Sequence, residues 1–511
     1  MVRVMGIESM RTGLACAALA LLASCSPARS EPQSARDGSP DGASAPEPTT
    51  TAADAPIGDA GAPVAEKAAT GTKKEETLED VVAYINSKLP KGGSVAADGD
   101  APKIKHKVQR GESINSIAAA YLPVTEWYRA EDLIGAIAKS NANVSPGATI
   151  TIPRPLTRVL HDPKEDRLGW PEDKILRGVF VTGSYASIKW ADTVEKVADH
   201  GLNAIVLDGK DYEGYVNYPS KAKIAVESGA IRAKNIPNLE RAIRYAHWHG
   251  VRVIIRIPCF HDPWADKHLP PDSRLSIKYT PTGKPIHVGW IDPTNTEAQD
   301  YAIELAQEAI EAGADEIQLD YVRFPVHLSM KTAVLPQPSE RSKIIRDFVK
   351  RVRAVTKEAG IHLSLDFFGV AATGERSDIM ALGQDIATVA PEADAISLMT
   401  YPSHYAKGYM GFSNPADHPE IIGIGNKMAI AQLKPTGATT IFRTWLQAFP
   451  LGVTRYNSQY LLAQAKSAET SGGHGWLMWS PGCEYSQVWN GWPSKKKQQA
   501  QAQAKAQANA K

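Results

Sequence analysis

From Arg177 onward one pattern recurs along the chain: an amphipathic stretch with apolar positions three and four apart, then a glycine, then a short apolar run. ADHGLNAIVLD, HWHGVRVIIRI, IEAGADEIQLD, KEAGIHLSLDF and TSGGHGWLMW all carry it, with Gly201, Gly250, Gly313, Gly360 and Gly473 placed to end the helices. Helices alternating with short apolar strands predict a parallel sheet buried on both faces. The predicted strands are Gly178 to Thr182, Ala204 to Asp208, Val251 to Ile257, Glu316 to Tyr321, Leu363 to Phe368, Ala395 to Tyr401, Thr440 to Trp445 and Trp476 to Trp479. Eight such units define an α/β fold, a (β/α)8 TIM barrel over residues 174–492. A doubly wound open sheet is the competitor, but no GxGxxG follows the first strand.

The pattern is different before residue 174. Arg3 and Arg11 precede an apolar run, Gly13 to Ala23, which is too short to span a bilayer and has the shape of a secretory signal. It ends Leu22-Ala23-Ser24-Cys25, which resembles a bacterial lipobox: residues 1–24 would be removed and Cys25 lipidated. In a Gram-negative host, Ser26 would by the same resemblance permit sorting to the outer membrane. Residues 25–75 are rich in Ala, Pro, Ser, Thr, Gly and Asp, with Ile57 and Val64 the only large aliphatics. Such a segment cannot offset its conformational entropy by burial and reads as a disordered tether. Residues 76–103 read as a short helix (Leu78, Val81, Val82, Ile85, capped by Thr77 and Asp80) and a linker. Residues 104–155 give strand, helix, helix, strand; VQRGESINSIAAAY and NVSPGATITIP resemble a LysM module, a family that binds glycans containing N-acetylglucosamine such as peptidoglycan. The segment LPVTEWYRAED between the helices is longer than that family's turn. A Pro- and charge-rich joint follows from His161 to Lys174, and residues 493–511 form a Lys/Gln/Ala tail expected to be disordered.

Composition narrows the partners. The 57 Lys and Arg balance 56 Asp and Glu at +1 over 511 residues, unlike a protein that binds nucleic acid by neutralising phosphates. Four cysteines are too few for a disulfide framework, and two belong to the targeting segment, Cys16 in the leader and Cys25 at the lipidation site; Cys259 and Cys483 fall at one end of the predicted barrel, where a disulfide is an open alternative. No HExxH and no pair of histidines four apart occurs among the 13 His, so no metal and no cofactor is expected.

Barrel chemistry sits where the strands end. The second strand ends in Asp208, followed by Lys210; the third carries Arg256 and is followed by Asp262. Asp320, Tyr321 and Arg323 close the fourth, Asp366 stands at the end of the fifth, and the sixth leads to Tyr401 and His404. Trp445 and Gln447 come from the seventh, Trp479 and Glu484 from the eighth.

VLDGKDYEGYVNY, RIPCFHDPWADKHLP, DEIQLDYVRFP, LSLDFFGV, LMTYPSHYAKGYMGFSNPADHP, TWLQAF and GWLMWSP together resemble a bacterial glycoside hydrolase-like family long catalogued as a domain of unknown function. The resemblance implies a TIM-barrel glycosidase. Glycoside hydrolysis uses two carboxyl groups, one to protonate the leaving oxygen and one as nucleophile or base. Related barrels place the nucleophile at the end of strand four, so Asp320 is the expected nucleophile and Asp366 the expected acid/base, with Asp208 and Glu484 as alternative acids. Arg323 is expected to hold Asp320 ionised. Asp208 and Lys210 read as a clamp on substrate hydroxyls or, equally, as an ion pair at the barrel mouth. Arg256, Asp262, His404 and Gln447 are candidate hydrogen-bonding groups to sugar. Tyr321, Tyr401, Trp445 and Trp479 offer faces on which sugar rings stack, with core packing as the alternative.

The expected activity is hydrolysis of an envelope or extracellular polysaccharide by a lipid-anchored protein of the cell envelope, at the outer membrane facing the periplasm or the surface. The competing readings are a non-catalytic polysaccharide-binding lipoprotein and a metal-dependent hydrolase or deacetylase, the latter disfavoured by the histidine spacing.

Overall fold

The computed structural model describes residues 76–270, 275–329, 331–496 and 498. The leader, Cys25, the tether and most of the C-terminal tail lie outside the described residues.

The first described unit is a three-stranded antiparallel sheet, β1 (Gly93–Asp98), β2 (Ala101–Lys107) and β3 (Thr149–Ile152), in the order β1-β2-β3. Helix α1 (Leu78–Asn86) precedes it, and α2 (Ile114–Tyr121) and α3 (Ala130–Ser140) lie between β2 and β3. Residues 76–103 are therefore part of this unit rather than a linker. Thr77 and Asp80 form a reciprocal capping box on α1, and Val81 and Ile85 join Ile104, Ile117, Leu133, Ile137 and Ile150 in one buried core.

The long turn between α2 and α3 fixes this unit to the barrel. Its carbonyls at Leu122, Thr125 and Trp127 all accept hydrogen bonds from the guanidinium of Arg241, while Tyr128 packs between Trp190 and Tyr245 and Arg129 donates to Ser187 O. The joint that follows is equally tied down. Arg167 donates to the carbonyls of Ala359 and Ile310, and Asp315 accepts from the backbone N–H groups of Leu168 and Gly169.

The barrel strands are β4 (Leu176–Val181), β5 (Ala204–Asp208), β6 (Arg252–Pro258), β7 (Glu316–Asp320), β8 (His362–Phe368), β9 (Ala395–Met399), β10 (Ile441–Phe442), β11 (Thr444–Gln447) and β12 (Gly475–Trp479). All neighbours are parallel, in the order β10-β9-β8-β7-β6-β5-β4-β12-β11. Nine segments make eight staves: β10 and β11 are one strand in two pieces, the first paired with β9 and the second with β12, with Arg443 at the junction donating its backbone N–H to Ile396 O. That change of partner closes the circle. The helices α4 (Gly183–Asp199), α5 (Leu239–Trp248), α6 (Thr296–Glu311), α7 (Pro338–Glu358), α8 (Glu420–Leu433) and α9 (Ser458–Glu469) surround it.

The two faces of each strand divide cleanly, as the two-residue period of a strand requires. Ile205, Leu207, Val253, Ile255, Ile317 and Leu319 pack outward with the helices, whereas Phe180, Ala204, Val206 and Ile254 belong to a separate interior cluster with Tyr401, Trp445 and Leu477. One helix-ending residue differs from expectation. Gly472 takes the left-handed backbone (φ +90°) after α9, while Gly473 is held against the carbonyl of Ala468, where a Cβ would sit 2.6 Å away.

Beside that apolar cluster the interior carries buried polar side chains at several levels. At the base, Glu316 accepts from Ser364, Arg443 and, at 2.6 Å, the indole N–H of Trp170, whose ring stacks on His362 at 3.9 Å. Higher up, the Gln318 amide on β7 donates to Ser397 on β9, past the intervening β8, at 3.2 Å. The top layer is the carboxylate cluster described next.

Candidate active site

Asp208, Arg256, Asp320 and Asp366 come from four consecutive strands, β5 to β8, and meet inside the barrel near its C-terminal end. Arg256 is the hub. Its Nη1 donates to Asp208 Oδ1 at 2.6 Å, its Nε to Asp320 Oδ2 at 3.1 Å, its Nη2 also to Asp320 Oδ2, and its Nε lies 3.7 Å from Asp366 Oδ2. Asp320 Oδ1 accepts the backbone N–H of Tyr321 at 2.5 Å. Asp366 Oδ1 accepts the indole N–H of Trp445 at 2.7 Å, and its Oδ2 has no hydrogen-bond partner among the described residues.

Three carboxyl groups against one guanidinium cannot all stay ionised at low cost in a buried site. Burial raises Asp366 well above the ordinary carboxylate range, and the charge of Asp320 pushes in the same direction. Burial likewise lifts Asp208, to about 7, against the pull of Arg256. Asp320 takes two donors of the guanidinium and a backbone N–H, charge-assisted bonds that fix its orientation. The site thus sets a carboxyl group bound by a fixed cation beside one raised by burial, two unlike environments of the kind that acid-assisted bond cleavage uses.

Aromatic side chains form the walls. Tyr401 lies 5.5 Å from Trp479 and 5.0 Å from His404, and Phe449 packs edge-on to Trp479 at 5.3 Å. Trp479 keeps part of its face exposed; burial lowers His404 to about 4, so its imidazole is neutral at neutral pH. On the opposite side Tyr321 stacks on His261 at 4.7 Å and meets Trp290 at 5.9 Å. Tyr321 holds a left-handed backbone (φ +48°), which is costly for a non-glycine residue and turns the chain immediately after Asp320.

Other candidates are placed differently. Lys210 is not beside Asp208: its ammonium pairs at 2.7 Å with Asp262, and both side chains are buried, at 1% and 0% exposure. Asp262 also caps the Pro263–His268 helix through Ala265 N–H. These two residues join the loops after β5 and β6 and offer nothing to a ligand. Arg323 does not hold Asp320; it lies over the rings of Phe368 and Trp290, at 4.0 and 4.7 Å. Trp445 is 1% exposed and turned toward Asp366, so it presents no face for stacking. Gln447 spends its amide on Phe449 O, Leu451 O and Ser403 N–H. Glu484 is exposed at the outer side of the barrel, lining a small groove with Tyr185, Asp192 and Lys196 beside α4, and does not join the aspartates. Cys259 and Cys483 are both free and buried; no disulfide links them. Phe180, Phe449 and Trp290 belong to the site's walls although they were not among the expected site residues, and His261, which follows the third predicted strand, joins them; for Phe449 the QAF sequence at the end of β11 was the available signal.

Among the described residues, no group of three or more His, Cys, Asp or Glu is placed to hold a metal ion, and no helix is long and apolar enough to cross a membrane.

Fold and site together define a (β/α)8 barrel with a buried carboxylate cluster at the mouth end. The chain belongs to the family described as "Putative glycosyl hydrolase domain", whose model matches residues 178–485. No curated protein matches the chain. Among solved structures, a hypothetical protein from Ruminiclostridium thermocellum ATCC 27405 is 32% identical over 37% of this chain and 96% of its own, with a TM-score of 0.33. The PgaB (BpsB) glycoside hydrolase domain from Bordetella bronchiseptica is 14% identical over 60% of this chain and 95% of its own, with a TM-score of 0.46. The spore cortex-lytic enzyme SleL of Bacillus megaterium QM B1551 is 12% identical over 82% of this chain and 95% of its own, with a TM-score of 0.38.

Proposed function

We propose that this chain is an exported, lipid-anchored glycoside hydrolase that cleaves an envelope or extracellular polysaccharide, with Asp366 as general acid and Asp320 as nucleophile. The observation that supports it best is the asymmetry of the two carboxyl groups on neighbouring strands: Asp320 is hydrogen-bonded by Arg256, while Asp366 is raised by burial and has one oxygen without a hydrogen-bond partner among the described residues. In the proposed reaction Asp366 delivers its proton to the glycosidic oxygen as the C–O bond breaks. Asp320 supplies the electron pair to the anomeric carbon, and Asp366, now a carboxylate, then activates water. Trp479 and Tyr321, each partly exposed on opposite walls, are the proposed stacking platforms for sugar rings.

Anchoring through Cys25, and glycan binding by the small LysM-like unit, rest on sequence resemblance alone. They favour a polymer close to the envelope as substrate.

The test is release of oligosaccharides from a panel of envelope and exopolysaccharides by the full chain, with the configuration of the first-formed anomer read by proton NMR. Release with retained configuration supports the reading. Tight retention of one glycan without release would overturn it in favour of a binding lipoprotein. Cys25→Ser is expected to move the protein from the membrane fraction to the soluble one; an unchanged distribution would remove the anchor.

A further inference from the structure

Each of the three aspartates around Arg256 carries a different set of donors. Asp208 and Asp320 both receive N–H groups from the guanidinium within hydrogen-bond range, whereas Asp366 lies 3.7 Å from it and receives a neutral donor, the Trp445 indole. A guanidinium strongly favours the ionised form of its partner; a neutral N–H can be accepted by a carboxylate and by the carbonyl oxygen of a carboxylic acid alike. The indole is fixed in place. Trp445 is 1% exposed, and Phe180 meets it edge-on at 6.2 Å while also lying under the Arg256 guanidinium at 5.4 Å.

We propose that Trp445 is a positioning residue: by occupying Asp366 Oδ1 it assigns the acid proton to Oδ2, the oxygen with no hydrogen-bond partner among the described residues, 3.7 Å from Arg256 Nε, and aims that oxygen at the leaving group. The inference rests on the glycosidase reading above. In the step it serves, the Oδ2–H bond breaks and its proton passes to the glycosidic oxygen, which also keeps the electron pair of the breaking C–O bond. Asp320 forms the new bond to the anomeric carbon. Asp366 is left as a carboxylate whose Oδ1 still accepts the indole N–H, so the same contact serves both protonation states without rearrangement.

The test compares Trp445→Phe, which keeps an aromatic ring and loses the donor, with Trp445→His, which restores a ring N–H. Two substrates are used: the polysaccharide that wild type cleaves, and a dinitrophenyl glycoside of the sugar released, whose leaving group departs without a proton. Trp445→Phe is expected to lose at least about tenfold more kcat/KM on the polysaccharide than on the aryl glycoside, with Trp445→His recovering part of the difference. Equal losses on both substrates, or none on either, would overturn the proposal by leaving Trp445 a packing residue.

A second readout needs no turnover. The carboxylic acid C=O band of Asp366, identified by its absence in Asp366→Asn, is followed by infrared spectroscopy against pH. In Trp445→Phe the band is expected to persist to higher pH, because a donor to the carboxylate has gone. An unmoved titration overturns the inference whatever the activity. A shifted titration in a protein that cleaves no glycan would instead overturn the glycosidase reading and, with it, the catalytic role given to the contact.

Discussion

The pair Lys210–Asp262 is the sharpest test of how this barrel separates structural charges from chemical ones. Lys210 and Asp262 lie 2.7 Å apart at 1% and 0% exposure; the ammonium also donates to Pro258 O at 2.9 Å and sits 4.8 Å from the Tyr301 ring centre. Replacing Lys210 by Met removes the cation and leaves a fully buried carboxylate with the Ala265 N–H at 2.8 Å as its main compensation. Breaking a buried pair in this way costs about 3–5 kcal/mol, most of it the penalty of the stranded charge. Asp262→Asn strands the ammonium instead, though the side-chain oxygen of Asn still caps the helix. In the double variant no charge is buried, and the loss is expected to be smaller than the sum of the two single losses by about 2 kcal/mol or more. Urea unfolding of the full chain, followed by tryptophan fluorescence for the four proteins of the cycle, measures this. Losses that add to within about 0.5 kcal/mol would refute the reasoning, because the two residues would then not share one buried ion pair.

Three further outcomes are expected. Arg241→Ala removes the guanidinium whose donors reach three carbonyls of the α2–α3 turn, and should cost about 2–4 kcal/mol and expose the segment around Tyr128 to limited proteolysis; unchanged protection would argue against a fixed docking of the small unit. Asp208 holds its proton to about pH 7 when folded and releases it near 3.8 when unfolded, so the folded state binds the extra proton across that window and stability falls as pH rises through it. Urea midpoints for Asp208→Asn between pH 4.5 and 8 should show a shallower decline than wild type, and parallel curves would contradict the assignment. Trp479→Ala should raise KM for an oligosaccharide about tenfold with a smaller change in kcat, as loss of a stacking face worth about 1–1.5 kcal/mol predicts; an unaffected KM would return Trp479 to the packing of Tyr401 and Phe449.

The barrel was legible because parallel strands buried on both faces read as continuous apolar runs, and every predicted strand lies within a few residues of an observed one. The exception is instructive: the seventh stave is split at Arg443, and a change of pairing partner inside one apolar run leaves no mark on hydrophobicity. Asp320 and Asp366 were legible from their position at strand ends. Their partners were not, since a guanidinium reaches several residues from its own Cα and chooses among carboxylates by three-dimensional distance. Thus Arg256, not Arg323, holds Asp320, and Lys210 turns to Asp262. Trp445 and Gln447 illustrate the same limit, because residues near a strand's end can face the ligand or brace the loops, and periodicity does not distinguish the two. Glu484 follows Cys483, whose left-handed backbone (φ +54°) redirects the chain before it reaches the cluster. The long turn LPVTEWYRAED stood out only as a departure from the LysM pattern; its role in docking became visible once Arg241 was seen to collect its carbonyls.

The most direct test of the central claim is the rate of oligosaccharide release by wild type, Asp320→Asn and Asp366→Asn from the same polysaccharide, with folding verified by circular dichroism. The account predicts that both substitutions lower kcat by about a thousandfold or more, and that Asp366→Asn retains far more of its activity on a dinitrophenyl glycoside than Asp320→Asn does. Release by either folded variant at the wild-type rate would contradict it.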